Sequence, residues 1–309
     1  MSATLDPAKP KRLFCFGLGF SALALARRLK TEGWAVAGTT RSEEKAAALA
    51  AEGIETFLFD RERPLADPAR ALAGTTHLLS SIAPDEGGDP VLDCHGADLA
   101  GLAGLAWAGY LSTTGVYGSR DGGWVDEDSD LRPSAARSKR RVAAEQAWLK
   151  VHESEGLPVH LFRLAGIYGP GRSMLDTVRA GRAKRIDRPG QVFSRIHVED
   201  IATVLQASMA RPRPGRAYNV CDDDPASPAE VTAYACRLLG VAPPPLVALE
   251  EAGLSPMGLS FWQDNKRVSN RRLHEELGVD LAYPTYKAGL DAILAAERAR
   301  PAELPPMRD

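Results

Sequence analysis

Leu13-Phe14-Cys15-Phe16-Gly17-Leu18-Gly19-Phe20-Ser21-Ala22 is an apolar run followed at once by two glycines and an alanine in the spacing G-x-G-x-x-A. Gly17 suits a sharp turn, Gly19 lets a pyrophosphate approach the backbone, and Ala22 lets a helix pack closely on the strand. The free N–H groups at the start of that helix face phosphate, aided by the helix dipole. A glycine turn alone says little. Here an Ala/Leu-rich helical stretch follows (Ala22–Leu29), and then a second strand, Trp34-Ala-Val-Ala-Gly38. The stretch predicts a dinucleotide site formed by Gly17, Gly19, Phe20, Ser21 and Ala22.

Outward from this turn, strand and helix patterns alternate, which favours a parallel sheet covered on both faces. Ser42–Glu52 reads as a helix with Ser42 as N-cap and Gly53 as stop. Further strands are expected at Glu55–Phe59, His77–Ile82, Gly109–Ser112 and Leu157–Leu164, with a helix at Val142–Val151. Ser80 and Ser81, at the end of the fourth strand, border the expected dinucleotide pocket. Past Gly166 the pattern loosens, with more Pro and Gly. Val192–Met209 and Ala217–Val220 read as returns to the main sheet. The expected fold is a doubly wound α/β parallel sheet (Rossmann) with a smaller C-terminal substrate lobe. Residues 11–165 and the returning segments 192–220 form the nucleotide domain, and 166–191 with 221–300 form the lobe. The Ala/Pro-rich ends are expected to fray.

The chain has 309 residues and a formal net charge of −2, so nothing pulls it as a whole toward nucleic acid or an anionic membrane. No run approaches the roughly 18 apolar residues of a membrane span. The start, Met1–Lys11, is polar and lacks an apolar signal region. Cys15, Cys94, Cys221 and Cys236 are scattered, with no CxxC pair, and give no metal-site pattern. The expectation is a cytoplasmic protein, monomer or homodimer, with a small-molecule partner and no metal.

The end of the second strand bears on the form of the dinucleotide. An Asp or Glu about 20 residues past the glycines would bond a ribose 2′-hydroxyl, whereas Arg accommodates a 2′-phosphate. Here the strand ends Gly38-Thr39-Thr40-Arg41-Ser42, with no carboxylate before Glu43. Arg41 attracts a 2′-phosphate by charge-assisted hydrogen bonds, and Thr39, Thr40 and Ser42 offer hydroxyls. NADP is therefore expected over NAD.

Five stretches in order are Gly17–Ala22, Ser112-Thr-Thr-Gly-Val-Tyr117-Gly118, Arg163-Leu-Ala-Gly-Ile-Tyr168-Gly-Pro-Gly-Arg172, Arg195-Ile-His-Val-Glu-Asp200 and Ala217-Tyr-Asn-Val220. With them the chain resembles the extended short-chain dehydrogenase/reductase superfamily, also called the NAD-dependent epimerase/dehydratase family, over roughly positions 11 to 290. More narrowly it resembles an atypical bacterial branch, with the tail Asn265-Lys-Arg-Val-Ser-Asn-Arg-Arg-Leu273 and Tyr283-Pro-Thr-Tyr286. The resemblance implies that Thr113 orients the substrate's carbonyl or hydroxyl. It also implies a YxxxK tyrosine as proton shuttle, and here the pattern departs. Counting back from Ala144-Glu145, the Lys position is Arg141 and the Tyr position is Arg137. No tyrosine occurs between Tyr117 and Tyr168. The literal Tyr283-Pro-Thr-Tyr-Lys287 comes too late in the chain and contains a proline.

Arg137 and Arg141 lie four apart, on one helix face that would look toward the nicotinamide. An Arg stays protonated and cannot shuttle a proton, but Arg141 can hold the ribose and Arg137 can neutralise developing negative charge. Tyr117 is a substitute acid candidate, as is Tyr168. The resemblance makes Arg172 and Arg195 candidates for gripping a diphosphate. Arg182, Lys184, Arg185 and Arg188 read as a solvated basic face, and His197 as structural. Two functions stay open. One is an NADP-binding oxidoreductase or epimerase-like enzyme acting on a small polar or phosphorylated substrate such as a nucleotide sugar. The other is a non-catalytic NADP-binding sensor or regulatory protein that has lost the tyrosine.

Overall fold

Apolar alternation within each strand decides how the chain layers. In β1 (Arg12–Phe16), Leu13 and Cys15 point to one side and pack with Ala22, Leu25, Ile201 and Leu205. Phe14 and Phe16 point to the other and pack with Phe59, Leu72, Val91 and Tyr110. Both faces are buried, which is why the strands read as nearly continuous apolar runs. The computed structural model describes residues 11–299, so the expected fraying of the ends falls outside the described residues, as does nearly all of the polar start.

Six more strands join β1: β2 (Ala35–Thr40), β3 (Glu55–Leu58), β4 (His77–Ser80), β5 (Trp107–Thr113), β6 (Val159–Leu164) and β7 (Ala217–Val220). All pair in parallel in the order β3-β2-β1-β4-β5-β6-β7. The chain reverses its direction of travel between β1 and β4. In such sheets a ligand lies in the crevice at that point, beyond the carboxyl ends of the strands. The α/β doubly wound fold is present as expected.

Helices α1 (Phe20–Thr31) and α2 (Glu43–Ala51) cover the Leu13 side of the sheet. The Phe14 side is covered by α3 (Pro68–Leu72), α4 (Pro90–Ala100) and α5 (Ala136–Glu155). Helix α5 begins six residues earlier than the apolar pattern suggested and takes in the basic run Arg137–Arg141. Polar residues opened the helix there, so its first turns carry no apolar period to read.

Beyond β6, α6 (Met174–Arg179), α8 (Pro228–Leu239) and α10 (Tyr286–Ala299) share a separate apolar cluster of Leu175, Val231, Ala235, Leu290 and Ile293 with Tyr168. Two-residue and three-residue strands tie this region together: Gly166–Tyr168 with Arg195–His197, Arg185–Ile186 with Leu246–Val247, and Trp124–Val125 with Arg267–Val268. The 192–209 stretch does not place a strand in the main sheet. Its return is made by helix α7 (Val198–Ala210), which lays Ile201, Val204 and Leu205 on α1 with helical spacing. Among the described residues no helix is long and apolar enough to cross a membrane.

Candidate active site

Gly17 sits at φ +85°, a conformation that favours glycine, and an added Cβ would press on the Ser81 hydroxyl and Ile82. Its N–H donates to Thr39 Oγ1 at 2.8 Å and its carbonyl accepts from Ser81 Oγ at 2.5 Å. Two neighbouring strands thus fix the turn. Gly19 precedes α1 as N-cap and supplies no side chain to cap it, while the position a Cβ would take there opens on empty space. An uncapped helix start facing an open cradle fits a phosphate-bearing cofactor. Ala22 is fully buried behind it.

At the end of β2, Arg41 is exposed, and its carbonyl accepts from Arg63 Nη2 at 2.9 Å. The Arg63 guanidinium, paired with Asp60 at 3.3 Å, thus stands at the backbone of Arg41. Two of the three hydroxyls expected here have other partners. Thr39 is buried on Gly17, and Ser42 Oγ caps α2 by accepting from Lys45 N at 3.3 Å. Thr40 remains, accepting from Ser42 N at 3.4 Å. Ser80 is wholly buried, and its hydroxyl has no partner among the described residues.

A cavity of about 930 Å³ opens where the carboxyl ends of β4 and β5 meet α5 and the lobe. Thr113, Arg137, Arg141, Arg172 and Arg195 all line it, although they come from four separate segments of the chain. Thr113 ends β5, and its Oγ1 accepts from Gly115 N at 3.1 Å, which opens a short 3₁₀ turn over Thr114–Tyr117. Arg141 turns back onto β5, donating to Leu111 O at 2.7 Å and to Tyr110 Oη at 3.0 Å. Arg137 stacks on the ring of Phe261 at 4.0 Å and donates to Ser260 Oγ at 2.7 Å. Phe261 and Ser260 belong to α9 (Pro256–Trp262), which roofs the cavity.

Arg172 and Arg195 line the cavity with different partners. Arg172 lies over the ring of Phe20, the first residue of α1, on the side of the glycine turn. Arg195 is held at the lobe, donating to Phe193 O at 2.8 Å and Ala226 O at 3.1 Å. Burial lowers its pKa, and Asp222 opposes that shift.

Tyr117 does not reach the cavity. It is wholly buried; its hydroxyl donates to Asn219 Oδ1 at 2.7 Å and accepts from Arg163 Nη1 at 2.9 Å. Burial pushes that phenol up to about 12. It belongs to a polar network behind β5, in which Arg163 pairs with Glu145 at 2.9 Å and Ser112 Oγ donates to Glu145 at 2.5 Å. Tyr168 does line the cavity, and burial raises its pKa strongly. His197 caps α7 by accepting from Glu199 N and packs on Tyr283 at 4.0 Å.

Several cavity residues carried no readable signal. Ser138, next to Arg137, is buried on the cavity wall. Tyr286 lines it from the start of α10. Lys266 and Asp264 line it as a pair 3.5 Å apart, and Ser134 Oγ donates to Asp264 at 2.8 Å. Burial lowers the pKa of the Lys266 ammonium, which Asp264 opposes. The other polar members of the 265–273 tail mostly serve the fold. The Asn265 carbonyl accepts from Arg120 N and Gly122 N, and Asn270 donates to Cys221 O. The basic stretch 182–188 is not simply solvated either. Lys184, Arg185 and Arg188 donate to the carbonyls of Ala252, Pro244 and Trp262, while Arg182 lines the cavity.

A family model described as the NAD dependent epimerase/dehydratase family matches residues 98–221, the span that carries β5, α5, β6 and β7. That central span carries the pattern of the NAD-dependent epimerase/dehydratase family. A solved structure of a functionally unknown conserved protein from Silicibacter pomeroyi DSS is 52% identical, covering 93% of this chain and 99% of that one with a TM-score of 0.86. Protein YeeZ of Escherichia coli (strain K12) is 28% identical over 285 residues, 89% of this chain and 97% of the relative. DesIV, the dTDP-glucose 4,6-dehydratase from Streptomyces venezuelae with NAD and TYD bound, shares the fold at 19% identity and a TM-score of 0.74 over 93% of this chain and 97% of that one. The cavity of this chain carries arginines at 137 and 141 on the helix that flanks β5.

Proposed function

We propose that this chain is an NADP-binding oxidoreductase or epimerase-like enzyme acting on a small polar or phosphorylated substrate such as a nucleotide sugar. The observation that carries the reading is the cavity at the carboxyl ends of β4 and β5, lined by Thr113 and by Arg137, Arg141, Arg172 and Arg195. A nicotinamide dinucleotide, seen with the dehydratase DesIV as NAD, fits the glycine turn by the free backbone at Gly19 and the uncapped start of α1. Gly17, Phe20, Ser21 and Ala22 shape that cradle. Ser81 fastens it, and Ser80 lies one residue before. Thr40 and Arg41 favour the 2′-phosphate form.

When bound, the nicotinamide gives and takes hydride. Thr113 orients the substrate hydroxyl or carbonyl at the end of β5. Arg137 stabilises negative charge that develops there, and Arg141, fixed against β5, holds the cofactor ribose. Tyr117, by its buried position, serves the network around Arg163 instead of the reaction. Arg195 receives an anionic part of the substrate at the lobe. Arg172, over Phe20, stands within the reach of both ligands. The proton falls to a titratable group already on the wall, and Lys266, Tyr168 and Tyr286 are the candidates.

The second reading, a sensor without turnover, is favoured by the arginine at the tyrosine position. One experiment separates the two. Purified protein is titrated with NADPH and NADH by fluorescence, then supplied with nucleotide sugars and oxidised cofactor while reduced cofactor is followed. Cofactor binding with turnover supports the enzyme; binding without turnover on any sugar supports the sensor; no binding of either cofactor removes both.

A further inference from the structure

Arg137 is a cavity cation with no acidic partner among the described residues. It projects from the first turn of α5, where the neighbouring residue Ser138 is buried and also faces the cavity. Its partners are neutral: the Ser260 hydroxyl and the face of the Phe261 ring. Among the described residues no carboxylate stands within ion-pair distance of it. The two carboxylates that line the cavity are engaged elsewhere. Asp176 accepts from the N–H and hydroxyl of Ser173 at 2.8 and 2.6 Å, and Asp264 from Ser134 Oγ with Lys266 beside it. Arg141, one turn on, is tied to β5 and feels Asp89 behind it.

Two hydroxyls complete this end of the cavity. A Cβ built on Gly115 would lie 2.9 Å from Ser138 Oγ and 3.4 Å from Thr113 Oγ1, so both flank one spot, and glycine leaves that spot open. A neutral hydroxyl group arriving here would leave the planar donor fork of Arg137 without a matching acceptor. A carboxylate matches it, and charge-assisted pairs of this kind are roughly twice as strong as neutral hydrogen bonds. On the lobe side Arg182 also lines the cavity and can meet a second anionic group.

We infer that the unit held at the inner end of the cavity carries a carboxylate, received by Arg137 with the hydroxyls of Thr113 and Ser138 beside it. The substrate is then an acidic sugar, a uronate-type unit, and not a neutral hexose. This rests on the nucleotide-sugar reading above and narrows it.

The test compares two probes that differ at one carbon, UDP-glucuronate and UDP-glucose, with UDP as reference. Calorimetry is run on the full chain saturated with its preferred dinucleotide. The expected result is about tenfold tighter binding of the uronate than of the glucose compound, in keeping with one charge-assisted pair. In Arg137→Gln the ratio of the two affinities falls to about one. Ser260→Ala, which frees Arg137 from α9 without removing its charge, keeps the preference. Equal affinity for the two sugars, a preference that survives Arg137→Gln, or its loss in Ser260→Ala overturns the inference and leaves the broader reading standing. Absence of binding by all three probes overturns the nucleotide-sugar reading itself, and the inference with it.

Discussion

The hydroxyl of Thr39 accepts the backbone N–H of Gly17 at 2.8 Å, so the second strand of the sheet sets the shape of the turn that ends the first. The two residues are 22 positions apart, and Thr39 is wholly buried. Thr39→Val keeps the volume and removes the acceptor, leaving the N–H of Gly17 unanswered. The expected cost is about 1–3 kcal/mol of stability, with weaker dinucleotide binding, while Thr39→Ser recovers most of both. Urea unfolding and a fluorescence titration of NADPH read the two effects. Wild-type behaviour of the valine variant would remove this role.

At the far end of the same strand the test is one of charge. Arg41→Asp places a carboxylate where a 2′-phosphate is expected and should lower NADPH affinity by about ten- to a hundredfold, in keeping with the loss of one or two charge-assisted hydrogen bonds. NADH affinity should hold or improve. Equal titration curves for the two cofactors in the unmodified protein would exclude the preference for NADP.

Behind β5 the pair Arg163–Glu145 is almost wholly buried. Glu145→Leu leaves a charged guanidinium in a dry setting and should cost about 3–5 kcal/mol. Arg163→Met combined with Glu145→Leu should cost clearly less than the sum of the single changes, because no unpaired charge remains. A double-mutant cycle in urea measures this. Simple additivity would mean that the two charges do not depend on each other.

Burial pushes the Asp222 carboxyl up to about 8, with the Arg195 guanidinium opposing the shift. In the unfolded chain the same group ionises near an ordinary pKa of about 4. Between those values the folded form holds a proton that the unfolded form has lost, so rising pH works against folding, and the effect levels off above about 8. Asp222→Asn cannot ionise. The stability of wild type relative to Asp222→Asn should therefore fall as pH rises from about 4 to about 8 and stay flat beyond. Melting curves of both proteins across that range would contradict the assignment if they ran parallel.

What the sequence disclosed depended on how local the requirement was. Gly17 was legible because a positive φ is imposed by the turn itself, and Ser42 because an N-cap acts three residues away. The inner strands of the sheet were legible from apolar runs, since both of their faces are covered. The role of Thr39 was not, because its hydroxyl answers a turn 22 residues back, and nothing in Gly38-Thr39-Thr40 distinguishes the inward threonine from the outward one. Arg137 and Arg141 were read on one helix face, and both do line the cavity. Their surroundings were hidden. Phe261, Asp264, Lys266 and Tyr286 come from more than a hundred residues later, and folding alone brings them to α5. Tyr117 misled for the opposite reason: its motif places it beside the cleft, yet the 3₁₀ turn after Thr113 rotates it into the core.

The roof of the cavity, α9 with Lys266 and the start of α10, lies in the last fifth of the sequence, whereas the glycine turn and its supporting threonine lie within the first forty residues. Synthesis runs from the first of these to the second, and emerging chains organise in that order. The nucleotide cradle is therefore translated long before the roof that closes over the substrate.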